Sequence, residues 1–147
     1  MALLRAEQIV VAVLAKVTGL ATTSTRVTRG RVYAHETVPA LTVAQGADSP
    51  VDTRTGSSVF LDSELDITIT AHVKSSSAQV DTTLNQIRKE VHIALMADVT
   101  QGLAFVYLTD PRGASAPSLS GDSDKPTAVM DMTFTFRYRH SYTDASA

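Results

Sequence analysis

The stretch Phe60-Leu61-Asp62-Ser63-Glu64-Leu65-Asp66-Ile67-Thr68-Ile69-Thr70-Ala71-His72-Val73-Lys74 decides how this chain folds. Within it Leu61, Leu65, Ile67, Ile69, Ala71 and Val73 alternate with Asp62, Glu64, Asp66, Thr68, Thr70 and His72. Successive side chains of a strand point to opposite faces, so this alternation reads as a strand buried on one side and wet on the other. Unbroken, such a strand spans roughly 50 Å at ~3.3 Å per residue, well beyond the usual length, and part of it is expected to project past the domain.

A second alternating run, residues 129–142, turns Met130, Met132, Phe134, Phe136 and Tyr138 inward and Asp131, Thr133, Thr135, Arg137 and Arg139 outward. Outward charges are acidic at the start of the first run and basic at the end of the second. Antiparallel pairing brings them together, with Glu64 and Asp66 near Arg139 and Arg137. Helical spacing marks residues 3–17, where Ala6, Val10, Val13, Leu14 and Val17 share a face, and Gly19 supplies a stop. Ile9 and Val11 widen that apolar surface, which suits a helix buried on its own sheet and on a neighbour. A further helix is predicted from Val80, Leu84, Ile87, Val91, Ala94 and Leu95, opened by a capping box of Ser76 and Gln79.

Between these elements, residues 20–37 read as an irregular connection anchored by Val27 and Val32. A short strand over 40–44 follows Val38-Pro39, since proline is tolerated where a strand begins. Residues 45–58 and 110–126 hold most of the glycines and prolines and read as long exposed loops, and 103–108 as a short apolar strand. The expected fold is therefore α+β in the order α-β-β-α-β-β. It is one domain over residues 1–147, a four-stranded, mostly antiparallel sheet with two helices packed on one face.

Composition narrows the function. The chain has 147 residues, 44% hydrophobic and 19% charged, a globular rather than disordered balance. A net charge of -2 gives no basic field for nucleic acid or anionic membranes. The absence of cysteine removes disulfides, thiolate zinc sites and thiol nucleophiles, and fits a reducing compartment. Asp62, Glu64 and Asp66 begin like a calcium loop, but Ile67 stands where that loop needs glycine. None of the histidines at 35, 72, 92 and 140 pairs at helical metal-site spacing, and no nucleophile elbow, P-loop or dinucleotide fingerprint occurs. Neither catalysis nor a cofactor is expected.

Five segments carry a resemblance that covers most of the chain: Leu4-Arg5-Ala6-Glu7-Gln8-Ile9, Val38-Pro39-Ala40-Leu41-Thr42-Val43, Ser63-Glu64-Leu65-Asp66-Ile67-Thr68-Ile69, Leu84-Asn85-Gln86-Ile87 and Phe134-Thr135-Phe136-Arg137-Tyr138-Arg139. Together they resemble tail terminator proteins of long-tailed bacteriophages. The resemblance implies a hexameric ring of identical subunits that caps the tail tube, ends its elongation and offers its other face to the head-tail connector or stopper protein. It implies viral DNA passing through the lumen without sequence-specific contacts, no membrane partner, and a place at the tail-neck junction of the virion after assembly in the host cytoplasm. In such a ring Asp62, Glu64, Asp66, Arg137 and Arg139 line the lumen or a subunit seam. Gln45, Asp48 and Arg54 on one loop, and Asp110, Arg112, Asp122 and Lys125 on the other, are the axial contacts. The alternatives are another neck protein of the head-closure or head-tail joining type, or a small α/β enzyme or RNA-binding domain.

Overall fold

The computed structural model describes residues 2–30, 37–51, 59–74, 79–119 and 127–147. The elements, in chain order, are α1 (Arg5–Val17), β1 (Val27–Arg29), β2 (Ala40–Pro50), β3 (Phe60–Lys74), α2 (Val80–Met96), β4 (Val106–Ala114), β5 (Ser118–Leu119) and β6 (Thr127–Ser141). They form one six-stranded sheet in the order β1-β2-β3-β6-β4, with β5 beside β6. The class is α+β as expected, but the sheet has six strands, not four. Both extra strands escape a periodicity argument because they are so short, three residues and two residues.

The two alternating runs are the middle of the sheet. β3 and β6 pair antiparallel along their whole lengths, from Phe60 opposite Ser141 to Lys74 opposite Thr127. Along β3 every second residue from Ser63 to Val73 is buried while its neighbours are half-exposed, which is the strict alternation of a sheet covered on one face. The cover consists of α1, which buries Ala6, Ile9, Val10, Val13 and Val17, and α2, which buries Leu84, Ile87, Val91 and Leu95. Leu65, Ile67, Ile69, Met132, Phe134 and Phe136 meet both helices in one core. Leu14, expected within it, is only partly buried at its margin, and Ile9, outside the main helical stripe, is fully buried.

Three boundary expectations are corrected. β2 continues through residues 45–50 instead of giving way to a loop, pairing Asp48, Ser49 and Pro50 with Leu65, Glu64 and Ser63. These six residues are exposed on both faces, so no alternation signals a strand there. A bulge between Gln45 and Asp48 absorbs Gly46, whose backbone lies so near Asp66 that a Cβ would stand 3.1 Å from its carbonyl oxygen. Similarly, β4 runs from Val106 to Ala114, and β5 follows shortly after, where a single loop from 110 was expected. Pro111 is tolerated because β4 is an edge strand, and Gly113, at φ 95, sits in its second bulge. Lastly, Gln79 is itself the N-cap residue of α2 and makes no side-chain cap bond, so the capping box does not form as expected; Ser76 lies outside the described residues, as does Val32.

Candidate interaction surfaces

Strand alternation places Asp62, Glu64, Asp66, Arg137 and Arg139 together on the sheet face opposite the helices. The pairing of the two strands is as the charge pattern predicts, but offset by two residues. Asp62 stands opposite Arg139, Glu64 opposite Arg137, and Asp66 opposite Thr135. Arg139 grips Asp62 through Nε at 2.9 Å and through its second nitrogen at 3.4 Å, a two-pronged contact. Arg137 stands 4.0 Å from Glu64, too far for a hydrogen bond. Thr135 donates to Asp66 at 2.6 Å and accepts from Arg112 at 3.2 Å, and Arg112 in turn pairs with Asp110 at 3.3 Å. Further along, Thr70 donates to Asp131.

This face is therefore a carpet of mutually compensated charges. Surface pairs with one well-exposed partner, such as Arg139 at 45% beside Asp62 at 16%, contribute about 0–1 kcal/mol each. Asp62→Asn is expected to lower stability by no more than about 1 kcal/mol, with the difference vanishing at molar salt, as urea melts at low and high ionic strength would record. A larger, salt-insensitive loss would mean the pair is shielded from solvent.

The proposed axial residues scatter. Gln45 is exposed on β2 opposite Ile67, while Asp110 and Arg112 belong to β4 and to the charged face just described. Asp48 turns to the helix side, where its carboxylate accepts a hydrogen bond from the Tyr138 hydroxyl at 2.7 Å. Arg54, Asp122 and Lys125 lie outside the described residues. Beside Tyr138, Ser63 bonds His140 Nε2 at 3.1 Å, and His140 Nδ1 contacts the Ser141 carbonyl at 2.8 Å. That contact requires the proton on Nδ1, so Ser63 donates to Nε2 when the ring is neutral.

Burial, and then the Asp48 carboxylate, push the Tyr138 phenol well above its ordinary value of 10.0. A folded-state value above the unfolded one contributes stability that is fully present below the unfolded value and is lost as pH rises beyond it. Wild-type stability is thus expected to fall from about pH 10 upward, and Tyr138→Phe to flatten that fall, in thermal melts between about pH 8 and about pH 11. Parallel profiles for the two proteins would remove Tyr138 as the source.

A second surface has no periodic signal in the sequence. At one end of the sheet the start of α1, the start of β3, the turn before β4 and the end of β6 converge. Arg5 lies over the Phe105 ring at 4.6 Å and donates to the Arg139 carbonyl. Arg139 lies 5.3 Å from the Tyr107 ring centre and 5.9 Å from that of Phe60. The Tyr142 amide bonds the Val59 carbonyl, and the Arg5 amide bonds the Ala145 carbonyl. Half of the phenylalanines and half of the tyrosines gather here: Phe60, Phe105, Tyr107 and Tyr142. Leu3, Leu4, Val59, Phe60, Tyr107 and Tyr142 are all exposed. Exposed aromatics interleaved with arginine are the composition of interface centres.

A third exposed strip runs along α1, where Leu4, Val11 and Ala15 share the face turned away from the core, and Val11 is 48% exposed. Among the described residues no group of three or more His, Cys, Asp or Glu is placed to hold a metal ion, and no helix is long and apolar enough to cross a membrane. No protein-family model and no curated protein matches the chain.

Proposed function

We propose that this chain is a structural subunit of a phage tail, one that closes into a hexameric ring, caps the tail tube and presents its other face to the head connector. The sequence resemblance suggests the role, and the observation that supports it best is the distribution of surface character. A ring subunit needs a passive face toward the passing DNA, a seam and two axial ends. The charged side of the sheet, with Asp62–Arg139 and Asp110–Arg112 internally compensated, suits a lumen wall that neither grips nor repels a polyanion. The outer strip of α1 suits the seam, because Val11 and Leu4 leave apolar area that a neighbouring subunit would cover. The aromatic-rich end suits an axial contact.

The deciding measurement is the mass and shape of the purified protein. Light scattering should report about six subunits of 15.7 kDa, and negative-stain images should show closed rings with a central hole. Addition of such rings to growing tail tubes should stop elongation. A monodisperse monomer at every concentration tried would sink the ring, and rings that leave tube growth unchanged would sink the capping role.

A further inference from the structure

Asp48, Tyr138, Ser63 and His140 form one polar rung across three neighbouring strands, on the helix side of the sheet. Tyr138 on β6 donates to Asp48 on β2 at 2.7 Å, and Ser63 lies on β3 between them. Ser63 is 3.1 Å from His140 Nε2 and stands beside the Tyr138 hydroxyl, while the Ser141 carbonyl holds His140 Nδ1 at 2.8 Å. The rung thus runs from a carboxylate at one end to an imidazole at the other. With the ring neutral, the single Ser63 proton goes to Nε2 and the single Tyr138 proton to Asp48, so the two hydroxyl oxygens face each other with no proton between them. With the ring protonated, Nε2 donates to Ser63, Ser63 to Tyr138 and Tyr138 to Asp48. Every donor then has an acceptor, and the bonds all point from cation to anion, the arrangement in which each polarises the next.

Of the elements around His140, β2 contributes the Asp48 carboxylate and β3 the uncharged Leu61 and Ser63. The start of α1 contributes Arg5, which bonds the adjacent Arg139 carbonyl, and the segment after β6 contributes Asp144, within electrostatic reach of Arg5, and the Ala147 oxygen that accepts the Ser141 amide. Arg139 and Asp62 pair with each other on the opposite face. Arg5 and Asp144 offset one another, which leaves Asp48 as the anion that a charged His140 addresses through the rung. The strand at the far end depends on it: past the bulge only Asp48, Ser49 and Pro50 pair with β3, all three exposed. Among the described residues the Asp48–Tyr138 bond is the side-chain tether of that segment. We propose that the rung is a proton-operated latch, in which a proton on His140 completes the chain and fastens the outer half of β2 to β6, and its loss loosens that half while the rest of the sheet stays paired. The latch belongs to the single subunit and stands whether or not the subunits close into a ring.

Amide hydrogen exchange on the full chain tests it, because the Val51 amide bonds the Asp62 carbonyl just beyond the tethered segment and opens with it. After correction for the intrinsic effect of pH on exchange, Val51 should open about ten-fold more often at about pH 8 than at about pH 5.5, the size of one lost charge-assisted hydrogen bond. Ile67 and Ile69, paired on both sides in the middle of β3, should show no such difference. Ser63→Ala breaks the chain at its centre and His140→Gln removes the proton site, so either should hold Val51 at the faster rate at both pH values. Tyr138→Phe, which cuts the tether itself, should do the same. If a variant unfolds, the comparison of Val51 with Ile67 in the wild-type protein carries the test. Equal opening of Val51 at the two pH values, loosening shared equally by Ile67 and Ile69, or a pH difference that survives in folded Ser63→Ala or His140→Gln would each overturn the latch.

Discussion

Phe136→Ala is expected to destabilise the fold by about 3–5 kcal/mol, the usual cost of truncating a buried phenylalanine. Phe136 is fully buried in the middle strand of the sheet, opposite Leu65 on β3 and Thr109 on β4. Removing its ring therefore opens a cavity between the sheet and the helices that cover it, on a strand held in register on both sides with little freedom to close it. Against a total of about 5–15 kcal/mol, such a loss is large. The thermal midpoint should fall by roughly 10–20 °C. Leu14→Ala is the control: Leu14 is only partly buried at the margin of the core, so its truncation should cost distinctly less. Equal melting of Phe136→Ala and wild type would move the centre of the core elsewhere.

How much of this architecture the sequence discloses follows from which surfaces are covered. β3 and β6 are legible because helices cover one face and solvent wets the other, so burial writes a period of two into the chain. α2 is legible because only one side of it meets the sheet. Beyond Gln45 the β2 strand has no covered face, so nothing selects apolar residues there and small polar ones imitate a loop. Along β4, Pro111 and Gly113 imitate a turn for a related reason, since an edge strand tolerates both at bulges. Charge complementarity predicts the neighbours but not the register. Sliding β3 against β6 by two residues still sets acids against arginines, and apolar pairs such as Ile67 with Phe134 decide between the alternatives.

The candidate surfaces divide along the same line. The Asp62, Glu64, Asp66, Arg137, Arg139 group is visible in the sequence because alternation alone puts it on one face. The Arg5, Phe105, Tyr107, Arg139 cleft is not, since its members come from segments separated by most of the chain. The nearest signal is compositional: with no Trp and few aromatics, Phe60 and Tyr107 fall where no apolar period requires them.

Val11→Asp separates assembly from folding and should have the largest effect on assembly. In the isolated subunit Val11 is half-exposed on a helix whose other side supplies the core contacts, so the substitution should change monomer stability by about 0.5 kcal/mol or somewhat more. Within a ring whose seam covers the outer strip of α1, the same carboxylate would be buried among apolar neighbours without a hydrogen-bond partner. That costs several kcal/mol at every contact, and a cyclic assembly repeats the cost at each seam. Light scattering should therefore report the ring mass for wild type and 15.7 kDa for Val11→Asp, with helical signal and thermal midpoint nearly unchanged. Val11→Leu, which keeps the strip apolar, should still form rings. Rings of normal size from Val11→Asp would place the seam on another face of the subunit while leaving the ring itself intact. Monomers from wild type would instead remove the ring, whatever the behaviour of the variant.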